Sequence, residues 1–314
     1  MPADLPVTAD DVVRAAATIH GRLHRTPTFS ARSIRDDLFL KAELLQRTGS
    51  FKPRGVLTSL AALEPDERAR GVISVSAGNH AQALAWGARE QGIDALLVMW
   101  RDASPAKIAA TRAYGAAVDL RAEGPETAFA RLQELIDETG RVLVHPFDAP
   151  GTIAGQGTVG LEILEDVPGV DTVVVPCGGG GLVSGIAVAC VPRGVRVVAV
   201  EPEGSTALRD ALAAGGPVPV RPRSIADALS APFAGRLAVE ICTALGVEVL
   251  TVSDDEIAAA FRTLYGRAKL AVEPGAAAGL AAVLAGRIDG GRIAVVVSGG
   301  NVSPEIASGI LAGR

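Results

Sequence analysis

Cysteine is nearly missing from this chain. The three present among 314 residues, Cys177, Cys190 and Cys242, show neither paired spacing nor a metal-ligand pattern. That excludes a disulfide framework and fits a reducing cytosol. A basic excess is missing too: the net charge is −5 with 21% charged residues, so the electrostatic footprint of a nucleic-acid binder is not there. No apolar stretch is long enough to span a bilayer, and the longest, beginning at Leu270, is interrupted by Glu273 and Pro274. The N-terminal "MPADLPVTADD" is acidic without an apolar h-region, so no secretory signal is expected. Repeats, low-complexity tracts and long linkers are likewise absent. What is there is 48% hydrophobic, enough for a large core and, by length, about two domains. A cytoplasmic globular protein is expected, with neither nucleic acid nor membrane as partner.

The chain alternates short β-branched runs with longer alanine-rich segments. Residues 71–76, 94–99, 116–120, 141–145, 171–177, 195–201, 247–252 and 292–298 read as strands, and 79–92, 104–115 and 125–140 as helices between them. Continuous apolar strands bounded by helices imply parallel sheets covered on both faces, so the fold class is α/β. Thr8 is placed to cap a first helix with an acidic opening turn, and Gly92, Gly115 and Gly140 each follow a helical run, where a left-handed residue closes it. The four units from Gly71 to about Phe147 form one compact lobe in this reading. Residues 71–148 make a small domain, and residues 1–70 with 149–314 a large cofactor-binding one. Sites in open α/β sheets lie at the carboxyl ends of strands, often between lobes.

Three strand ends carry chemistry. "VISVSAGNH" runs into Ser76, Gly78, Asn79 and His80; "TVVVPCGGGG" into Gly178, Gly179, Gly180 and Gly181; "AVVVSGGN" into Ser298 and Asn301. Glycines at a strand-to-helix turn let backbone N–H groups approach a ligand, and a helix N-terminus favours an anion, so residues 178–181 read as a phosphate site. A dinucleotide is one candidate occupant, and Glu201 lies about where a ribose-binding acid would. The G-x-G-x-x-G/A register fails, however: counted from Gly178 it ends on Val183, and from Gly179 on Ser184. No P-loop sequence occurs either. The stretch "RTGSFKPRG", residues 47–55, supplies another answer. Pro53 suits the first turn of a helix and disfavours helical backbone in the residue before it. Lys52 is therefore expected at a junction, held and partly desolvated. Such a lysine has a lowered pKa and condenses with an aldehyde. Pyridoxal 5′-phosphate is an aldehyde that bears a phosphate, and it requires both the lysine and the anion cradle.

The stretches "TGSFKPRG", "SAGNHAQ", "CGGGGL" and "SGGN", in this order, resemble the fold-type II pyridoxal-phosphate enzymes, and among them the threonine/serine dehydratase and serine racemase group. The resemblance covers nearly the whole chain. It implies a two-domain α/β fold of the tryptophan synthase β type, an active site in the interdomain cleft, and a homodimer. It also implies roles. Lys52 matches the lysine that carries the cofactor as a Schiff base, Phe51 the side chain flanking the cofactor ring, and Asn79 the residue bonding its 3′-oxygen. Gly178, Gly179, Gly180, Gly181 and Leu182 match the phosphate cradle, and Ser298 the hydroxyl facing the pyridine nitrogen. Ser76, Ala77, Gly78, Asn79 and His80 match the loop that grips the substrate carboxylate. A hydroxyl, unlike a carboxylate, does not force the pyridine nitrogen to be protonated, which favours rapid loss of a β-substituent over a long-lived carbanion.

The implied activity is β-elimination from L-threonine, and from L-serine, to a 2-oxo acid and ammonia, with Lys52 as general base. The alternatives are dehydration of another β-hydroxy amino acid such as 3-hydroxyaspartate, serine racemisation with eliminase activity, and non-catalytic cofactor binding. Racemases of the group carry serine where this chain has Ala77, and alanine moves no proton, so weak or no racemisation is expected. Related enzymes bind a divalent cation through the acid at Glu201, the backbone carbonyl at Ser205 and an Asp where this chain has Ala207. The set is one hard ligand short, with Asp210, nearly a helical turn further on, as a substitute, and Glu201 reads equally as a solvated strand-end carboxylate. His20, His24 and His145 show no ligand spacing and are read as structural or exposed. Arg54 is read as an orienting or pairing group without a catalytic role, and Glu273 as a neighbour of the active site. No additional regulatory domain follows "SGGN", so feedback by isoleucine is not expected.

Overall fold

The computed structural model describes residues 5–313; residues 1–4, part of the stretch read above as lacking a secretory signal, and residue 314 lie outside it. Ten strands form two sheets among the described residues: β1 (Thr28–Ser30), β2 (Leu38–Ala42), β3 (Val72–Val75), β4 (Ala95–Trp100), β5 (Ala117–Ala122), β6 (Val142–Leu143), β7 (Thr172–Pro176), β8 (Arg196–Pro202), β9 (Glu248–Val252) and β10 (Ile293–Val297). One sheet is six-stranded, in the order β1-β2-β10-β7-β8-β9, and the other four-stranded, β5-β4-β3-β6. All neighbours run parallel apart from β1, which pairs antiparallel with β2.

The parallel arrangement follows from the strands themselves. Side chains alternate across a sheet with period two, yet β7 and β10 are buried at every residue. Val173 and Val175 enter one core with Val197, Ala294 and Val296, whereas Val174 enters the opposite one with Val198, Val295 and Val297. Helices cover both faces, and only a run without polar alternation satisfies that. Helices Pro150–Asp166 and Gly181–Cys190 lie on the first face. Their backbones approach so closely that a Cβ on Gly185 would overlap the Ile153 carbonyl oxygen. The four-stranded sheet repeats the scheme, with Val72, Leu97 and Met99 on one face and Ile73, Val75 and Val98 on the other.

Eight strands stand where the sequence places them, their ends shifted by no more than about two residues, as boundaries commonly are. β6 is cut back to Val142–Leu143. β1 and β2 are not foreseen. β1 is three residues long, and β2 is a strand because β10, from the far end of the chain, pairs with it and sets Ile293 opposite Leu38. Thr8 caps the helix Ala9–Ile19 in a reciprocal box with Asp11, and Gly92, Gly115 and Gly140 all take positive φ. No helix among the described residues is long and apolar enough to cross a membrane.

Candidate active site

A cavity of about 310 Å³ collects the carboxyl ends of β3, β7 and β10. Phe51 and Lys52, the 76–80 loop, the 178–182 turn and Ser298 all line it. Stretches far apart in sequence thus meet at one place, because each directly follows a strand of its sheet or, for Lys52, a segment docked on one. Phe51 N donates to the Ser298 carbonyl at 3.1 Å, which sets "SFK" beside the end of β10.

Lys52 departs from the expected backbone. Its φ of −54° and ψ of −36° are helical, not extended, and its carbonyl already accepts from Val56 N at 3.2 Å. The bias imposed by a following proline is a preference; here the docked Phe51 and the turn closed by Arg54 N on Phe51 O, at 3.1 Å, outweigh it. Lys52 Nζ donates to the Pro146 carbonyl at 2.8 Å and lies 5.0 Å from the Phe51 ring centre. Burial pushes its pKa down to about 8, against a smaller opposing pull from Glu273. Arg54 is wholly buried, and all five N–H donors of its guanidinium are occupied. Glu43 accepts two at 2.8 Å each, Glu162 two at 2.7 and 2.9 Å, and Thr158 Oγ1 one at 3.0 Å. This network holds the first turn of the helix Pro53–Ala61 behind Lys52.

The glycines leave a cradle of bare backbone. A Cβ on Gly179 would run into the Phe147 ring, and one on Gly181 would lie 2.6 Å from the Phe147 carbonyl oxygen. Gly180 takes φ +89° at the N-cap of the helix Gly181–Cys190, and a Cβ there would lie 2.6 Å from that of Ala238. Leu182 follows, buried, in the first turn. Backbone N–H groups at a helix start, with side chains excluded, fit a phosphate. The residues present therefore fit pyridoxal phosphate: an anion cradle on one side of the cavity and a desolvated amine on another.

The 76–80 loop joins β3 to the helix Asn79–Glu90. Ser76 Oγ accepts from Gly78 N at 3.2 Å, and Asn79 Nδ2 donates to Glu273 Oε1 at 2.7 Å. Burial pushes the Glu273 carboxyl up to about 7 despite that bond. His80 turns its Nε2 inward, 3.0 Å from both the Val144 carbonyl and Ser74 Oγ. Burial, with the Lys52 charge, brings its pKa down to about 3, so the ring is neutral and Nε2 carries the hydrogen that the carbonyl requires. His145 is structural rather than exposed. Its Nδ1 accepts from Asp148 N at 2.8 Å and Phe147 N at 3.3 Å, and burial brings its pKa down to about 4. His20 and His24 are exposed.

Glu201 is not the solvated carboxylate that was one reading of it. It is fully buried at the end of β8, where its two oxygens accept from Leu208 N at 2.7 Å and Arg209 N at 3.0 Å at the start of the helix Ala207–Ala214. Burial pushes its pKa up to about 7 despite these bonds. Ser205 Oγ donates to the Leu229 carbonyl at 3.0 Å. Among the described residues, no group of three or more His, Cys, Asp or Glu is arranged to hold a metal ion.

Sequence reasoning misses Trp100, Lys107, Phe129 and Asp227, which also line the cavity. Lys107, on the helix Pro105–Ala113, pairs with Asp227 at the cavity. No motif marks any of the four, since each comes from a separate element and only folding gathers them.

A side-chain-free anion turn and a desolvated lysine on one cavity define an enzyme that works through a phosphorylated aldehyde. The chain belongs to the pyridoxal-phosphate-dependent enzymes: the family model described as "Pyridoxal-phosphate dependent enzyme" matches residues 20–299, and the fold is that of fold type II. It is 44% identical over 267 residues to a phenylserine dehydratase of Ralstonia pickettii, covering 83% of this chain and 82% of that protein. To an L-threonine ammonia-lyase of Thermotoga maritima it is 39% identical, covering 97% and 78%. The solved structure of maize serine racemase superposes with a TM-score of 0.90 at 37% identity, covering 95% of each chain.

Proposed function

We propose that the chain dehydrates 3-hydroxy-L-amino acids, with L-threonine and L-serine the first substrates and a 2-oxo acid and ammonia the products. The observation that carries this is the Lys52 amine, its pKa lowered to about 8, in the cavity that also holds the glycine turn and the Ser298 hydroxyl. Pyridoxal phosphate, when bound, supplies the electron sink that makes the substrate α-hydrogen acidic. Residues 178–182 would hold its phosphate, and Phe51 and Ser298, which line the same cavity, would serve its ring and its pyridine nitrogen. Lys52 would anchor it, and Nζ, free as an amine once the substrate has taken its place, would take the proton from the substrate α-carbon as general base, the β-hydroxyl departing with a proton as water. The 76–80 loop receives the substrate carboxylate at a helix N-terminus, whose unpaired N–H groups favour an anion. Ala77 adds no second proton carrier, which favours elimination over racemisation. The reading includes a large domain of residues 1–70 with 149–314, a small one of 71–148, and a cytoplasmic homodimer.

A second reading is favoured by where the aromatic residues fall. The chain has only seven Phe, two Trp and two Tyr, yet Phe51, Trp100, Phe129 and Phe147 line this one cavity. Phe233 packs on Phe129 and Phe147 at ring-centre distances of 5.3 and 5.5 Å. Such a wall suits a β-aryl substituent, as in the phenylserine named for the Ralstonia pickettii relative. Release of 2-oxo acid from the holoenzyme, measured side by side with L-threonine, L-serine, threo-3-phenylserine and threo-3-hydroxyaspartate, tests both. The highest kcat/KM on L-threonine supports the first reading and on phenylserine the second. Silence on all four refutes dehydration.

A further inference from the structure

The network behind Asn79 has an orientation that one residue dictates. Asn301, just past β10, donates Nδ2 to the Thr48 carbonyl at 2.8 Å and to Asn79 Oδ1 at 2.7 Å. A carbonyl only accepts, so the Thr48 contact decides which end of the Asn301 amide is nitrogen, and both hydrogens on that nitrogen are then used. Asn79 must present its oxygen to Asn301, which turns its own nitrogen to Glu273 Oε1 at 2.7 Å. One hydrogen on Asn79 Nδ2 is left for an oxygen in the cavity that Asn79 lines. Glu273 by itself does not choose between the two ends of Asn79. When ionised it receives the nitrogen, and when neutral it offers a proton to the oxygen; burial places its pKa at about 7, between the two cases.

Asn301 also braces the turn ahead of Lys52. Thr48 has φ +59°, a left-handed backbone rare for a β-branched residue. Gly49 beside it approaches so closely that a Cβ would lie 2.6 Å from Asn301 Oδ1, and Gly300 N donates to the Gly49 carbonyl at 2.9 Å. We propose that Asn301 is a positioning residue that sets the orientation of the Asn79 amide, so that an N–H rather than a carbonyl oxygen is offered to a ligand in the cavity.

The test uses Asn301→Ala and Asn79→Ala, singly and together, prepared free of cofactor and titrated with pyridoxal phosphate. The readouts are the visible absorbance of the bound cofactor, its change with pH, and the unfolding midpoint of the unloaded protein. Asn301→Ala is expected to weaken cofactor binding about tenfold, the equivalent of one hydrogen bond of about 1.4 kcal/mol. It is also expected to shift the absorbance titration in the same direction as Asn79→Ala. In the Asn79→Ala background the Asn301 change is expected to add less than about twofold, because its target is gone. A bracing role alone would lower the unfolding midpoint and leave the absorbance titration untouched. A wild-type titration in Asn301→Ala, or independent effects that multiply in the double variant, overturns the proposal. Should Asn301→Ala not fold, the isosteric Asn301→Asp serves instead. Its carboxylate can only accept, so it loses the Thr48 contact and lowers the unfolding midpoint, but it takes a hydrogen from Asn79 Nδ2, reverses the amide and is expected to reproduce the Asn79→Ala titration; a wild-type titration there overturns the proposal as well. No amino-acid substrate enters these measurements, so a wrong assignment of the reaction leaves them readable.

Discussion

Replacing Gly180 with alanine probes the anion cradle without touching any charged group. Two costs are combined at this position. A left-handed backbone, here φ +89°, costs a residue with a Cβ about 1–2 kcal/mol. The new methyl would also lie 2.6 Å from the Cβ of Ala238, where carbon atoms rest at about 3.5–4.0 Å. The helix Arg236–Leu245 must then move by roughly 1 Å to restore that spacing, and overpacking of this kind costs about 1–3 kcal/mol. Together the loss is about 2–5 kcal/mol. Gly215 is the control: its φ is +73°, and a Cβ there would meet nothing within 4 Å, so Gly215→Ala should lose only the backbone part, about 1–2 kcal/mol. Urea unfolding of the unloaded proteins, compared at a common m-value, measures both. Inorganic phosphate should raise the unfolding temperature of the wild type and of Gly215→Ala, and leave Gly180→Ala unmoved, since the displaced turn no longer aims its N–H groups together. Equal losses in the two variants, with the phosphate response intact in both, would refute the crowding that places the cradle here.

Two further predictions concern pH. The rate at which unloaded protein couples to pyridoxal phosphate, followed by visible absorbance, should rise through about pH 8, where Lys52 loses its proton, rather than near the roughly 10.4 of a solvated lysine. Glu273→Gln removes the negative charge that holds this pKa up, so the midpoint should move lower; a midpoint unchanged or higher contradicts the assigned geometry. Glu201 bears on stability. Its folded pKa of about 7 lies above its ordinary 4.5, so its contribution is fully present below pH 4.5 and lost as pH rises through 7, a change of about 3 kcal/mol. Glu201→Gln removes this slope, and the variant's stability relative to wild type, by urea unfolding, should improve between pH 5 and pH 8. A difference independent of pH counts against burial of an ionisable group there.

The parts of the site that are legible in the sequence are those whose chemistry is local. Four successive glycines after an apolar strand admit few uses, and "SFKPRG" places a lysine at a helix start whatever surrounds it. The 76–80 loop is readable for the same reason, as polar and small residues at the stop of a buried strand. Lys52 shows the limit. Its position before a helix is a matter of sequence, but its helical φ and ψ come from Phe51 docking on Ser298 and from the Arg54 turn. Glu201 shows it again, because an acid at a strand end looks solvated until Leu208 and Arg209 turn their N–H groups onto it.

By itself the sequence determined the α/β class, the parallel pairing of its long apolar strands, and the lysine and glycine turn that a phosphorylated aldehyde needs. Each of these rests on periodicity or on neighbours within a few residues. Tertiary structure alone decided β1 and β2, the burial of Glu201, the Lys107–Asp227 pair, the gathering of scarce aromatics around the cavity, and the direction of the Asn79 amide. These depend on partners in other elements, from the neighbouring helix in the case of Glu201 to segments more than a hundred residues away for the Lys107–Asp227 and Asn79–Asn301 contacts, and none of them forms until the chain has closed. A hydrogen bond between Asn301 and Asn79 leaves no trace in the spacing of either residue, because it is made across two strand ends that only the folded sheets bring together.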